Sequence, residues 1–276
     1  MGTGRTFGII AGGGPLPREV AMAARASGRE VFILALEGAT DPGTVADLPH
    51  AWVPIGQLAR SLRALREAEV GEVCMIGPVR RPTLASLRLD LRAMSLLPRY
   101  LKQAGGDDGL LRLLVGELER EGFRVVGAHE IAGDLTAPVG VLTRARPDEQ
   151  AELDIARGVT VARRLGEVDV GQAVVVQQGL VLGVEAIEGT DALLERVAAL
   201  RREGPGGVLV KLCKPGQERR TDLPTVGPAT VAGAQRAGLR GIAVEAGATL
   251  LVERARSVEA ADRGGLFLVG LEPGRQ

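Results

Sequence analysis

The chain has 276 residues, and its 34 Lys and Arg residues balance 34 Asp and Glu residues to give a formal net charge of zero. A general nucleic-acid-binding protein needs a basic excess, so this balance argues against that class. Hydrophobic residues make up 45% of the chain, which excludes intrinsic disorder, and the length is enough for two domains. Aromatic residues make up only 2%, so stacking platforms for single-stranded nucleic acid are scarce.

Cysteine and histidine are too rare to build a disulfide framework or a four-ligand zinc site, with two of each in the chain. Cys74 and Cys213 both lie in apolar runs, so we expect two buried free thiols. The apolar part of the N-terminus is too short for a signal peptide, and no run approaches the roughly 18 apolar residues of a transmembrane helix. These features predict a cytoplasmic protein.

The first half of the chain alternates short apolar runs with helical spacing. Predicted strands cover residues 6–11, 31–36, 51–55, 72–76 and 123–126, while predicted helices end near Ser27 and cover residues 58–68, 87–102 and 109–121. Alternation of strands and helices is typical of a parallel sheet covered on both faces. We therefore predict an α/β protein whose residues 1–135 form a Rossmann-like domain with a glycine-rich turn.

The second half of the chain predicts a mixed α/β domain. Residues 136–147 carry two prolines and no long periodic run, so we place a linker there and a C-terminal catalytic domain at residues 148–276. Predicted helices cover residues 148–165, 190–202 and 230–237, and predicted strands cover residues 172–177, 180–186, 208–212, 241–245 and 266–269. Gln178-Gly179 is typical of a hairpin turn, and Thr190 is predicted to cap the helix that it opens.

A glycine-rich turn at Gly12, Gly13 and Gly14 separates the first strand from the first helix. Glycines let a backbone approach phosphate closely, and a helix N-terminus offers N–H groups to an anion. Glu37, after the second strand, occupies the place of the ribose-binding acid in dinucleotide-binding folds. Pro17 stands where the third glycine of that motif belongs, so the case for NAD is weak. A tight turn without a ligand and a site for another nucleotide phosphate both remain open.

Several acids lie at strand ends in the second half. Glu185 and Glu188 flank the end of one strand, Asp191 lies in the first turn of the next helix, and Glu245 closes a later strand. Oxygen ligands of this kind suit a hard divalent cation. The competing interpretation makes Asp191 a partner of the helix dipole and Glu188 a solvated loop acid. The individual roles of the four acids stay open at this point.

The turn-rich segment of residues 206–228 concentrates cationic and polar side chains. Its cations, Lys211, Lys214, Arg219 and Arg220, are donors suited to phosphate oxygens. Gln217 could read a sugar or a base edge, and Asp222 should stay ionised among the cations. Asp222 could then bind Mg²⁺ or orient a water molecule toward phosphorus. The competing interpretation is a structural Arg–Asp pair that stiffens the loop.

Four motifs, at residues 9–17, 171–175, 186–191 and 214–227, together resemble the metal-dependent UDP-2,3-diacylglucosamine pyrophosphatases of the lipid A pathway. This family is the type unrelated to the calcineurin-like enzyme for the same step. The resemblance covers essentially the whole chain, with the motifs in the family's order. It implies two domains with an active site between them, and hydrolysis of UDP-2,3-diacylglucosamine to UMP and 2,3-diacylglucosamine 1-phosphate (lipid X).

The resemblance also assigns residues. It implies Mg²⁺ as cofactor and makes Asp222 the essential aspartate, with Glu188 and Asp191 as further predicted metal ligands. The predicted substrate-binding residues are Gly12, Gly13, Gly14, Thr190, Lys211, Lys214, Gln217, Arg219 and Arg220. The implied partners are the acylated UDP-sugar and lipid X.

Two other function classes stay open. One is a nicotinamide-dependent oxidoreductase that uses the glycine turn and Glu37, and the other is a non-enzymatic nucleotide-binding module. Residues 82–98 are rich in Leu and Arg, which favours an amphipathic helix packed on the sheet over a lipid-facing segment. The sequence leaves open a homodimer and a peripheral contact with the inner membrane.

Overall fold

The computed structural model describes residues 6–79, 89–102 and 107–274. The chain divides into two compact units. The N-terminal unit contains the chain up to Gly133 together with Glu218–Asp222, and the C-terminal unit contains Asp134–Gln217 and the chain from Leu223 onward. A short 3-10 helix, Gly133–Leu135, lies where the chain passes from the first unit to the second.

The N-terminal unit is built on a five-stranded sheet in the order β3-β2-β1-β4-β5, and all of its strands are parallel. The strands are β1 (Thr6–Ala11), β2 (Glu30–Leu36), β3 (His50–Val53), β4 (Val70–Ile76) and β5 (Arg124–Val125). The helices are α1 (Leu16–Ala26), α2 (Pro42–Val45), α3 (Leu58–Glu67), α4 (Leu91–Lys102), α5 (Asp107–Arg120) and α6 (Ala128–Ile131). The predicted parallel, Rossmann-like sheet is therefore confirmed.

Buried aliphatic side chains hold this unit together. Leu62 and Leu65, three residues apart on one face of α3, pack into a core with Leu34 of β2, Val73 of β4 and Phe123. Because β1, β2 and β4 are parallel and helices connect them, their carboxyl ends lie at one edge of the sheet. Loops that follow these strands are thereby placed side by side.

The C-terminal unit has a six-stranded mixed sheet in the order β6-β13-β11-β9-β7-β8. The strands of the unit are β6 (Gly140–Val141), β7 (Ala173–Gln177), β8 (Leu180–Val184), β9 (Val208–Lys211), β10 (Thr225–Val226), β11 (Gly241–Glu245), β12 (Leu250–Leu251) and β13 (Phe267–Leu271). The helices are α7 (Glu149–Glu167), α8 (Gly189–Ala198), α9 (Pro228–Arg236) and α10 (Arg254–Arg263). β9, β11 and β13 are parallel, β7 runs antiparallel to both of its neighbours, β9 and β8, and β10 pairs in parallel with β12 in a separate two-stranded sheet.

The alternation of side chains along β7 shows how this sheet is covered on both faces. Val175 packs in a core with Leu193 of α8, whereas Val174 and Val176 pack in a second core with Ile155 of α7. Successive residues of a strand point to opposite faces, so each face buries its own set of aliphatic side chains. The predicted mixed α/β architecture is confirmed. Within the segment predicted as a linker, β6 pairs with β13.

Two local predictions are wrong. Thr190 was predicted to cap α8, but Glu188 is the residue that precedes the helix, and the Thr190 hydroxyl donates to Glu185 Oε1 at 2.7 Å. Cys213 was predicted to be buried and is half-buried. Cys74 is buried as predicted, and this burial raises the pKa of its thiol to about 12.

Helix α4 gives the described part of the amphipathic stretch predicted at residues 82–98. Residues 80–88 lie outside the described residues. In α4 Leu96 is buried, whereas Leu91 and Met94 are exposed. Among the described residues, no helix combines the length and the apolar character needed to cross a membrane.

Asp154 of α7 fixes the hairpin that joins β7 and β8. Its side chain is buried and accepts the N–H of Gly179 at 2.7 Å and that of Gln178 at 3.0 Å. Both turn residues have positive φ, 53° and 77°, as a type I′ hairpin requires. The hairpin prediction is thus confirmed, and a buried carboxylate satisfies the turn's N–H groups.

Asp154→Asn replaces one accepting oxygen with an amino group that cannot accept. We expect the free energy of unfolding to fall by about 1–3 kcal/mol, because a turn N–H loses its acceptor and the buried side chain gains an unpaired amino group. Urea denaturation measures this change. The control is Asp47→Asn, whose exposed carboxylate pairs with Arg18 and should matter by less than about 1 kcal/mol. Equal effects of the two substitutions would contradict this account.

Candidate functional site

The glycine turn after β1 uses its N–H groups inside the N-terminal unit. Gly12 N–H donates to Ile76 O at 2.8 Å and Gly13 N–H donates to Pro78 O at 2.9 Å. Gly14 N–H donates to the Asp41 carboxylate at 2.8 Å. The turn is therefore fixed against the loop that follows β4, and its three N–H groups already have acceptors.

Glycine is required here by the close approach of two backbones. A Cβ at Gly12 would lie 2.2 Å from Gly77 O, and a Cβ at Gly77 would lie 2.6 Å from Gly13 O. Helix α1 then begins with Pro15 as its capping residue and Pro17 in its first turn, and neither proline has an N–H to donate. This arrangement speaks against the nicotinamide hypothesis, which needs glycine-turn and helix N–H groups for a pyrophosphate.

The lysines of the basic segment lie in the C-terminal unit and have acceptors there. Lys211 is buried at the end of β9, and its Nζ donates to Thr225 O at 2.9 Å. Lys214 Nζ lies 2.6 Å from Asp169 Oδ1. An ammonium group carries three N–H donors, and each of these two bonds uses one donor of its lysine.

Gln217 shapes the turn between these lysines and the next segment. Its buried side-chain oxygen accepts from Lys214 N–H at 3.0 Å and from the Cys213 thiol at 3.3 Å. Cys213 N–H in turn donates to Glu245 Oε2 at 3.3 Å, at the end of β11. The amide predicted to read a ligand thus also holds the backbone of the turn.

Residues 218–222 belong to the N-terminal unit, where Arg220 organises them. Its guanidinium lies 2.8 Å from Glu218 and 2.6 Å from Glu119. Asp222 is half-buried, and its N–H donates to Glu218 O at 3.0 Å. Glu218, an acid that the sequence motifs did not single out, forms an ion pair with Arg220 in this loop.

Ion pairing shifts the titration of this pair in opposite directions. The hydrogen bonds that Arg220 donates to Glu218 hold the pKa of the Glu218 carboxyl below its ordinary value, and the same bonds raise the pKa of the Arg220 guanidinium. Arg219, beside them, is exposed. The arginines predicted to bind phosphate therefore lie in a turn whose shape is fixed by ion pairs.

His129 is a candidate that sequence reasoning missed. A Cβ on Gly127 would lie 2.4 Å from the imidazole ring of His129 and 3.3 Å from Arg220 Cα, so this glycine lets the ring and the 218–222 segment pack closely. His129 Nδ1 is buried without a hydrogen-bond partner among the described residues. The signal was available, because His129 lies four residues after the end of parallel strand β5, at the sheet edge where ligands usually bind.

The acids predicted as metal ligands are placed differently from one another. Glu188 Oε2 accepts Ala186 N–H at 3.1 Å and its Oε1 lies 2.7 Å from Arg196. Hydrogen bonding to its own backbone N–H and to Arg196 lowers the pKa of Glu188. Asp191 is exposed in the first turn of α8, whereas Asp222 belongs to the other unit. Across residues 6–79, 89–102 and 107–274, no group of three or more His, Cys, Asp or Glu side chains is arranged to hold a metal ion.

Glu185 forms a compact polar cluster at the end of β8. Its side chain is 6% exposed, its Oε1 accepts the Thr190 hydroxyl at 2.7 Å, and its Oε2 accepts Gln172 N–H at 3.1 Å. The cluster lies at the edge of the sheet where β9 ends, because Ala173 at the start of β7 pairs with Lys211. This is the edge at which open α/β sheets usually bind ligands.

Comparisons with known proteins agree with the sequence motifs. The family model of the LpxI N-terminal domain matches residues 6–135, and that of the LpxI C-terminal domain matches residues 138–269. A UDP-2,3-diacylglucosamine pyrophosphatase LpxI from Caulobacter vibrioides is 45% identical over 276 residues, covering 98% of each chain. The resemblance inferred from the motifs is confirmed.

Glu218→Gln should loosen residues 218–222, because Arg220 loses its charged partner. We expect faster backbone amide exchange in this segment at neutral pH, measured by hydrogen–deuterium exchange and mass spectrometry. The pKa of Glu218 is lowered by folding, so its contribution is present above the ordinary glutamate pKa of about 4.3 and is lost as pH falls through the lowered value. Wild type and variant should therefore differ at neutral pH and converge only in that acid range.

The matched control is Glu167→Gln, which breaks the exposed pair of Glu167 with Arg164 in the C-terminal unit. It should leave exchange in residues 218–222 unchanged. Exchange in that segment that is identical in wild type and Glu218→Gln at neutral pH would show that the ion pair does not order the turn.

Proposed function

Because the chain belongs to the LpxI family, we propose that it hydrolyses UDP-2,3-diacylglucosamine to UMP and 2,3-diacylglucosamine 1-phosphate with the help of Mg²⁺. The observation that carries this proposal is the 45% identity to the Caulobacter enzyme across 98% of both chains. Matches to both LpxI domain models extend it to each half of the chain. The reaction adds one water molecule across the P–O–P linkage, so one phosphate stays with uridine and the other with the sugar.

The cations support binding of the diphosphate. Lys214 keeps donor capacity beyond its bond to Asp169, and exposed Arg219 lies beside the ordered Arg220 turn. Charge-assisted hydrogen bonds to phosphoryl oxygens lower the energy of the negative charge that moves during the reaction. Acid pairs that fix these cations in place reduce the reorganisation needed when the substrate binds. We assign Lys214, Arg219 and Arg220 to the diphosphate.

Asp222 is the residue we assign to the reacting centre. Its half-buried carboxylate lies in a turn ordered by the Glu218–Arg220 pair, and a carboxylate is the ligand type that Mg²⁺ prefers. The bound ion would supply charge neutralisation at the phosphoryl oxygens and acidify water. Of the other two predicted metal ligands, Asp191 is exposed on α8, whereas both oxygens of Glu188 accept hydrogen bonds within the C-terminal unit. The chain's own part is to hold carboxylate oxygens in place and to orient a water toward phosphorus.

The acyl chains of the substrate support action at a lipid surface. A diacylated sugar nucleotide has an apolar part that prefers the membrane, whereas its UDP part requires water. We propose that the protein meets its substrate from the cytoplasm at the surface of the inner membrane. The exposed apolar side chains of Leu91 and Met94 on α4 are compatible with such a contact.

The test is release of UMP from UDP-2,3-diacylglucosamine by the purified full chain, with Mg²⁺ and then with EDTA. We expect release that EDTA abolishes, and a loss of about 100-fold or more in kcat for Asp222→Ala and Asp222→Asn, as for removal of one well-placed transition-state contact. Asp47→Asn, on the surface of the N-terminal unit, is the matched control and should keep full activity. Thermal unfolding checks that the variants are folded.

The products separate this reaction from related ones. In H₂¹⁸O the label should enter the sugar 1-phosphate, because the resemblance implies attack of water on the phosphorus of the sugar side. Release of UDP instead of UMP, or turnover that is unchanged by EDTA and by Asp222→Ala, would contradict the proposal.

A further inference from the structure

The cluster around Glu185 contains an unsatisfied polar atom. Gln172 Oε1 is buried and has no hydrogen-bond partner among the described residues. Buried polar atoms are almost always hydrogen-bonded, since an unpaired acceptor away from water costs stability. A buried acceptor without a partner, at the edge of an α/β sheet where ligands usually bind, therefore points to a donor that a ligand supplies.

Glu185 holds three parts of the chain around this atom. Its two carboxylate oxygens take Gln172 N–H at 3.1 Å and the Thr190 hydroxyl at 2.7 Å, and its own N–H donates to Ala173 O at 2.8 Å. Gly171 packs directly on the same residue, because a Cβ there would lie 2.0 Å from Glu185 O. The start of β7, the end of β8 and the first turn of α8 are thus locked to one buried carboxylate.

Both side chains beside the Glu185 carboxylate, those of Thr190 and Gln172, would face a ligand as hydrogen-bond acceptors. The Thr190 proton is committed to Glu185, so Thr190 Oγ1 can offer only its remaining lone-pair capacity to another group. Gln172 Oε1 is an acceptor by its chemistry. The ionised phosphate oxygens of a UDP-sugar carry no protons to donate. Two acceptors held by one carboxylate therefore suit N–H or O–H donors and not the diphosphate.

We propose that Glu185 is a positioning residue that orients Gln172 and Thr190 to accept hydrogen bonds from N–H or O–H groups of the substrate. This inference rests on the proposed function and deepens it. The substrate carries such donors on its uridine and on its acylated glucosamine. We assign Glu185 no direct contact with substrate, because it is 6% exposed and its two oxygens hold Gln172 and Thr190.

The structure supplies a matched control for this role in Asp154. Glu185 and Asp154 are both buried carboxylates whose two oxygens each accept at least one hydrogen bond, and they hold opposite ends of the same β7–β8 pair. Glu185→Gln and Asp154→Asn each replace one accepting oxygen with an amino group. Both substitutions should lower thermal stability, but only Glu185→Gln should disturb Gln172 and Thr190.

The experiment compares KM, kcat and thermal stability of wild type, Glu185→Gln and Asp154→Asn. We expect Glu185→Gln to raise KM by about tenfold, the equivalent of one hydrogen bond lost to the substrate, with kcat within about threefold of wild type. Asp154→Asn should change KM and kcat by less than about twofold. A variant Glu185→Gln that loses stability but keeps the wild-type KM would overturn the inference, since the carboxylate would then be only structural.

Thr190→Val tests the same role without touching Glu185. It removes the hydroxyl at nearly constant volume, and we expect a raised KM that does not add to that of Glu185→Gln in the double variant. If Glu185→Gln fails to fold, this variant decides: a wild-type KM for Thr190→Val would overturn the inference.

Inhibition by UDP identifies which part of the substrate supplies the donors. A UDP inhibition constant that rises together with KM in Glu185→Gln places the donors on uridine, and an unchanged constant places them on the acylated glucosamine. Each result supports positioning by Glu185.

Wild-type turnover keeps the two proposals separate. If wild type releases no UMP, the proposed reaction has failed, and calorimetry with UDP-2,3-diacylglucosamine, which carries both sets of donors, then decides the role of Glu185. Binding of this ligand that is weakened by Glu185→Gln and unaffected by Asp154→Asn would support positioning. Equal binding by all three proteins, or no binding by wild type, would overturn it.

Discussion

Parallel strands leave backbone groups unpaired where they end, and satisfying those groups organises both units of this protein. Where loops cover the ends of the strands, each freed N–H needs an acceptor, because backbone donors without a partner cost stability. In the N-terminal unit carbonyls of the β4 loop and the carboxylate of Asp41 accept the N–H groups of the glycine turn. In the C-terminal unit Glu185 and Glu245 accept those of Gln172 and Cys213.

The cationic side chains that suit a diphosphate also bond acceptors within the protein. Arg220 is held between Glu218 and Glu119, Lys214 is paired with Asp169, and Lys211 is anchored on a carbonyl. Partners of this kind keep long cationic side chains in one conformation, which lowers the entropy lost when an anion binds. The net charge of zero hides this arrangement, because it is local ordering of cations, not an excess of them, that suits a diphosphate.

Prediction from sequence succeeded for elements that form apolar runs. It failed where an element is strongly charged or where a specific side-chain hydrogen bond determines the local structure. The longer strands were predicted closely because they form continuous apolar runs that are buried in the sheets, whereas the two-residue strands β6, β10 and β12 were not predicted. Helix α10 was missed, since Arg254–Arg263 is strongly charged and buries only Ser257 and Ala261. The capping role assigned to Thr190 failed for a different reason: a buried acid five residues earlier competes for the hydroxyl.

The sequence by itself determined the fold class and, through four motifs in order, the family. Aliphatic periodicity is local, and motif residues can be read without knowing what they touch. Only the tertiary structure decided which side chains work together. The bond from Arg220 to Glu119 joins residues 101 apart and that from Gln172 to Glu185 joins residues 13 apart, and no local pattern encodes either pairing. It also decided that residues 218–222 belong with the N-terminal unit, because membership follows from packing and not from position in the chain.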